Sequence, residues 1–251
     1  MPTRITLIGT GVAIPQPHRV QSGVLVELED LVSLVLFDCG SGVLPRLTDC
    51  TAIEHVFLTH LHLDHVADVM SLIKAKWLCE SHDLAIYGPS GTAAWLARVF
   101  DAYPYMKGRM RIDVSEMADQ DRVSIGECEI VCAETIHGMP SLGYGITDET
   151  GQVRIVYTGD TEPCESIRVL CDGADILIHE CSFPDLVPDV TNHTTPRALG
   201  EMIGSISLGK IILTHLYPQT SGFEEEMVET VRRYCDGCDV AIGRDMETIT
   251  L

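Results

Sequence analysis

The sequence predicts an α/β fold of four layers, an α/β/β/α sandwich with two mixed sheets inside and helices outside. Three observations carry this expectation. Short apolar runs rich in Val, Ile and Leu alternate with segments whose apolar residues recur at helical spacing, along all 251 residues. The second half repeats the scheme of the first, with Ile211-Ile212-Leu213-Thr214-His215-Leu216 echoing Phe57-Leu58-Thr59-His60-Leu61. Each cluster of chemistry-bearing residues falls where a strand ends, which is where α/β sheets gather function.

Taken in order, Arg4 to Gly9 reads as the first strand, and Gly9-Thr10-Gly11 opens a loop that carries Pro15 and Pro17. Val24 to Leu28 and Val32 to Phe37 follow as a hairpin around Glu29-Asp30. Asp38-Cys39-Gly40-Ser41-Gly42 ends that hairpin in a tight glycine turn, suited to close approach of backbone. A short helix through Leu47 leads to the buried strand His55-Val56-Phe57-Leu58-Thr59. After it, extended backbone would send His60, His62 and Asp64 to one face while Leu61 and Leu63 anchor the other. From His65 the pattern is helical, with Val66, Val69, Met70, Ile73 and Trp77 on one stripe.

Leu84 to Tyr87 is a strand, residues 88–91 a turn, and Thr92 to Phe100 a helix capped by Ser90 or Thr92. Strand-like segments at Met110 to Val114, Val123 to Ile125 and Cys128 to Ala133 lead to His137. Leu142 to Thr147 and Val153 to Thr158 form a second hairpin, ending in Gly159-Asp160. A helix from Pro163 to Cys171, the strand Ile176 to His179, a polar loop holding His193 and a helix from Pro196 to Ile206 complete the path to His215.

A hydrophobic share of 45% is ample for a sizeable core, and a single domain over residues 1–251 is expected. No terminal stretch reads as a signal peptide, and no apolar run reaches the roughly 18 residues of a membrane span. No membrane partner and a cytoplasmic location are therefore expected. Most of the ten cysteines lie inside apolar patterns, where a thiol packs as a small hydrophobe, which fits a reducing compartment. Cys235-Asp236-Gly237-Cys238 reads as a plain turn, with a redox pair or half a zinc knuckle as the alternative. A net charge of −20 with only 17 basic residues argues against unaided capture of a polyanion, so a small-molecule substrate is favoured over RNA.

The centre of the chain is His60, His62, Asp64 and His65. Three imidazoles and a carboxylate within six residues are the ligand chemistry of zinc. With ten histidines in the chain, this pattern would arise by chance in about one such sequence in a thousand, which sets it apart from a histidine-rich surface turn. One short loop cannot close two metal shells, so further ligands are expected downstream.

Together with the lone His137, Tyr157-Thr158-Gly159-Asp160-Thr161 and the strand-terminal His215, this motif resembles the metallo-β-lactamase superfamily nearly end to end. Leu7-Ile8-Gly9-Thr10-Gly11, Leu36-Phe37-Asp38-Cys39-Gly40, Ile86-Tyr87-Gly88-Pro89, Ile178-His179-Glu180 and Ile212-Leu213-Thr214-His215 are similar to ribonuclease Z. The resemblance implies two zinc ions, with manganese or iron as substitutes: His60, His62 and His137 on one, Asp64, His65 and His215 on the other, and Asp160 bridging. It further implies that His193, oriented by Glu180, protonates the leaving group, that Asp64 belongs to the catalytic set, and that the protein could pair as a homodimer. His18, His55, His82 and His179 are left as structural or solvent-facing.

The implied reaction is hydrolysis by a metal-bridging hydroxide, most simply of a small or cyclic phosphodiester, with ribonuclease Z activity as the alternative. A lactonase, arylsulfatase or thioesterase could use the same site. Ribonuclease Z also carries a P-x-K-x-R-N loop and a long tRNA-gripping arm. Here the loop reads Pro15-Gln16-Pro17-His18-Arg19-Val20, and only 22 residues separate His137 from Asp160. The diiron redox members of the fold need a glutamate where this chain has His62, and inactive homologues lose ligands that are all present here.

Overall fold

Arg4–Gly9 forms the first strand, β1, as its run of buried residues from Ile5 onward requires. The computed structural model describes residues 4–28, 34–235 and 237–251. The chain groups into two units, Met1–Met117 with Asp245–Leu251, and Ala118–Arg244.

In the first unit, Gly23–Glu27 (β2) and Leu34–Phe37 (β3) pair antiparallel with Val24 opposite Phe37; the expected Glu29-Asp30 turn lies outside the described residues. Ile53–Phe57 (β4), Asp83–Gly88 (β5) and Arg111–Glu116 (β6) add in parallel beside β3. Leu63–Val66 (α1) and Val69–Leu78 (α2) connect β4 to β5, and Thr92–Ala102 (α3) connects β5 to β6. Leu36, Val56 and Ile86 of the strands form one buried cluster with Val69, Leu72 and Ile73 of α2 and Leu96 of α3.

Four expectations change in this unit. The helix begins at Leu63 rather than His65, with His62 as its N-cap, so Asp64 leaves from a helical turn, and Leu63 anchors nothing, being 72% exposed. The helical stripe breaks at Asp68, whose carboxylate turns back to accept Gly42 N at 2.9 Å and Leu44 N at 3.0 Å. Lys76, not Trp77, completes the buried face of α2, its ammonium donating to Thr51 O at 2.9 Å and Ile53 O at 2.6 Å. Helix α3 is capped by neither Ser90 nor Thr92; Glu116 Oε1 accepts from Gly91 N at 3.1 Å and Ala93 N at 3.0 Å.

In the second unit, Arg122–Ile125 (β7), Cys128–Glu134 (β8), Leu142–Thr147 (β9) and Val153–Tyr157 (β10) form an antiparallel meander. Ile176–Glu180 (β11), Lys210–Thr214 (β12) and Asp239–Ile242 (β13) continue it in parallel. Glu165–Cys171 (α4), Pro196–Ile203 (α5) and Glu224–Arg232 (α6) bury Ile167, Leu199 and Met227 in one cluster with Val156, Leu177, Ile211 and Val240 of the sheet. Helix α5 stops at Ile203, short of the expected Ile206, with Gly204 as its C-cap. Cys235 and Cys238 are joined by a disulfide, in place of the plain turn. Glu247–Thr250 (β14) then pairs antiparallel with β1 in the first unit.

Among the described residues each unit therefore holds a mixed seven-stranded sheet, ordered β14-β1-β2-β3-β4-β5-β6 and β13-β12-β11-β10-β9-β8-β7. The repeated scheme is real: in each, a hairpin (β2–β3, β9–β10) feeds three parallel strands. The Leu-Thr-His echo does not follow that correspondence. Strand β4 stands next to its hairpin, whereas β12 stands one strand further out; the counterpart of β4 is β11, which ends in Glu180. No helix is long and apolar enough to cross a membrane among the described residues.

Candidate metal centre

Parallel strands in α/β sheets gather function at their carboxyl ends, and each unit carries its candidate residues at its own strand ends. In the first unit β3 runs into Asp38 and β4 into Thr59-His60. Asp38 adopts left-handed backbone (φ 56°), which costs about 1–2 kcal/mol and folds its carboxylate back across the strand ends. Fully buried, that carboxylate accepts Thr59 N at 2.8 Å, the Thr59 hydroxyl at 2.9 Å and His65 Nδ1 at 2.7 Å.

These contacts select tautomers. His65 must carry its hydrogen on Nδ1 to reach Asp38, which places the lone pair on Nε2. Thr59 donates its single hydroxyl hydrogen to Asp38, so its oxygen accepts from His60 Nδ1 at 3.0 Å, and His60 likewise has its lone pair on Nε2. His60 Nε2 stands 3.1 Å from His62 Nδ1, with the two rings at 81°. Zinc–nitrogen bonds of 2.0–2.1 Å at tetrahedral angles separate ligand atoms by about 3.3 Å, so this pair fits two corners of a zinc shell. Asp64 is buried, and its Oδ2 accepts Ala13 N at 2.9 Å. The glycine turn serves as expected: a Cβ on Gly40 would meet Asp64 O at 2.0 Å, so only glycine lets the two backbones touch.

In the second unit β10 leads to Asp160, β11 ends in Glu180 and β12 leads to His215, which also has left-handed backbone (φ 55°). His215 Nε2 lies 3.3 Å from Asp160 Oδ1, again the separation of two tetrahedral ligands. Ligand atoms of Asp160, His193 and His215 all fall within 4.8 Å of one another. His137, after β8, is bound through Nδ1 to Asn192 O at 2.8 Å, which ties it to the residue before His193; the rings of His137 and His193 are 5.5 Å apart.

Glu180 is fully buried and accepts five hydrogen bonds: Thr161 N at 3.0 Å, Ser182 N at 3.1 Å, Thr194 N at 3.1 Å, the Ser182 hydroxyl at 2.7 Å and His193 Nδ1 at 2.9 Å. Ser182, also buried, gives its hydrogen to Glu180 and accepts from His215 Nδ1 at 3.1 Å, so one hydroxyl joins the His215 ring to the carboxylate that holds His193. Phe183 and Tyr217, with ring centres 4.4 Å apart, stand within 6 Å of His193.

The donor set is nitrogen and oxygen only. Cys39 and Cys181 adjoin Asp38 and Glu180, where burial, and then neighbouring carboxylates, push both thiols well above their ordinary range. His60, His62, Asp64 and His65 thus gather in one unit and His137, Asp160, Glu180, His193 and His215 in the other. Asp38, Ser182 and Ala13 N–H are support that the sequence reading did not assign. Asp38 had one available signal, an aspartate between a strand end and a glycine turn.

A family model described as the β-lactamase superfamily domain matches residues 34–216. A ribonuclease Z of Methanosarcina acetivorans is 27% identical over 294 aligned positions, spanning 95% of each chain. An uncharacterized protein of Mycobacterium leprae is 32% identical over 93% of this chain and 84% of its own. The crystal structure of a metallo-β-lactamase fold protein from Bacillus subtilis superposes with a TM-score of 0.84 over the whole of both chains, at 24% identity.

Proposed function

The chain belongs to the β-lactamase superfamily domain family, and we propose that within it the protein is a dinuclear metal-dependent phosphodiesterase acting on a small or cyclic phosphodiester. In this reading His60, His62 and His137 would hold one ion and Asp64, His65 and His215 the other, with Asp160 shared between them. Zinc is the first choice, with manganese or iron as substitutes. When bound, such a pair supplies the Lewis acidity that makes hydroxide available near neutral pH and offsets the charge developing on the phosphoryl oxygens.

The observation that carries the reading is the His193–Glu180 pair, because a hydrolase of unactivated esters needs a proton donor for the departing alkoxide. As the bond from phosphorus to the leaving oxygen breaks, that oxygen would take the proton from His193 Nε2. Glu180 keeps the Nδ1 hydrogen in place and stabilises the ring while it is charged. Asp38 and Ser182 hold the ligand rings of His65 and His215 with lone pairs presented on Nε2.

A small substrate is favoured by the net charge of −20, and by the 22 residues between His137 and Asp160 being taken up by a short loop, β9, the turn at 148–152, β10 and the two residues after it. Ribonuclease Z activity is the second reading, favoured by the near full-length similarity to proteins of that name. Turnover of bis-p-nitrophenyl phosphate by metal-replete protein and by Asp64→Ala tests the proposal. A loss of about a hundredfold or more is expected; equal rates would end it. Cleavage of a precursor tRNA, with no turnover of cyclic nucleotides, would instead select the second reading.

A further inference from the structure

Asp245 is where the chain re-enters the first unit, and its side chain is only 6% exposed. Its carboxylate gathers three distant segments. Oδ1 accepts Thr10 N at 2.9 Å and the Thr10 hydroxyl at 2.6 Å, while Oδ2 accepts Val20 N at 2.6 Å and the Arg46 guanidinium. Thr10 and Val20 are the two stems of the loop between β1 and β2, closed on each other by Gly11 N to Val20 O at 2.8 Å.

That loop has little slack. A Cβ on Gly9 would meet Gln21 O at 1.8 Å, and one on Gly11 would meet Arg19 Cβ at 2.8 Å. From its middle, Ala13 N donates to Asp64 Oδ2 at 2.9 Å. A carboxylate with one oxygen tied to a fixed N–H has its rotation about χ2 set, and with it the direction of its other oxygen. Asp245 and Ala13 both lie outside the stretch matched by the family model, residues 34–216.

We propose that Asp245 is a positioning residue for Asp64: by clamping both stems of the 10–20 loop, it places the Ala13 N–H that orients the Asp64 carboxylate toward a metal. The proposal rests on the reading of Asp64 as a ligand. Contacts of this outer kind change metal affinity by about 10–100-fold.

The test is metal affinity and stoichiometry by competition with a chromophoric chelator, on the full-length wild type, Asp64→Ala, Asp245→Asn and Thr10→Val. It is joined to hydrogen exchange of the 10–22 amides and the unfolding midpoint of the metal-free proteins. Asp245→Asn should keep both equivalents but weaken one by about 10–100-fold, with faster exchange across 10–22. Thr10→Val should weaken the same equivalent to a smaller degree, and it alone decides the matter if Asp245→Asn does not fold. A merely structural role would lower the unfolding midpoint and leave the affinity of the folded protein unchanged, and that result overturns the proposal. Wild-type metal binding by Asp64→Ala would instead overturn the ligand reading itself, and the positioning role with it.

Discussion

Glu180 holds the His193 ring by a 2.9 Å hydrogen bond to Nδ1, from a carboxylate with no exposure to solvent. A histidine so held has its remaining nitrogen committed to one direction, and on the proposed reading that nitrogen is the donor to the leaving group. His193→Ala should therefore cost about 10²–10⁴ in kcat for esters with alkyl leaving groups. It should cost about tenfold or less for p-nitrophenyl esters, whose leaving anion needs no proton. Metal content should be unchanged, and a stoichiometric loss of metal would recast His193 as a ligand.

Glu180→Gln would aim an amide NH2 at a site that has five donors and nothing to accept from it. Leaving buried donors unsatisfied costs about 1–3 kcal/mol. We expect a loss of that size in urea unfolding, together with a fall in kcat for alkyl esters at little changed KM.

Asp38 touches no substrate in this scheme, yet it fixes the hydrogen of His65 and, through Thr59, that of His60. Asp38→Ala should weaken metal binding by about 10–100-fold, read by chelator competition. Unchanged affinity would remove Asp38 from the support of the site.

His179 is fully buried, and burial pushes its pKa below the ordinary value near 6.5, against the smaller opposing effects of the Glu180 carbonyl and carboxylate. The folded protein keeps this ring neutral while the unfolded chain takes up a proton as pH falls through about 6.5. The folded-state pKa of a base is thus depressed, so stability falls with falling pH in that window and levels off below the folded pKa. Urea unfolding of chelator-treated protein between about pH 5 and pH 7 should reveal a slope that His179→Phe reduces; an unchanged slope would assign it elsewhere.

Much of the fold was legible because continuous apolar runs and helical spacing are local properties. The hairpins at β2–β3 and β9–β10, and the strands before His60 and His215, lie where the apolar runs put them. The errors came where a distant partner overrode a local pattern. Asp68 broke a helix by turning to Gly42 and Leu44, Glu116 capped α3 from another strand, and two backbone carbonyls drew Lys76 onto a buried face.

What the sequence by itself determined is the set of candidate ligand side chains and their delivery at strand ends, because histidine and aspartate spacing after an apolar run is readable one residue at a time. Only the tertiary structure decided how those side chains are held. Asp38, Ser182 and Asp245 act on backbone N–H groups and ring hydrogens brought to them from as far as 235 residues away, as between Thr10 and Asp245. Hydrogen-bond partners of that kind leave no period in the chain, since any residue but proline can offer the N–H that a buried carboxylate requires.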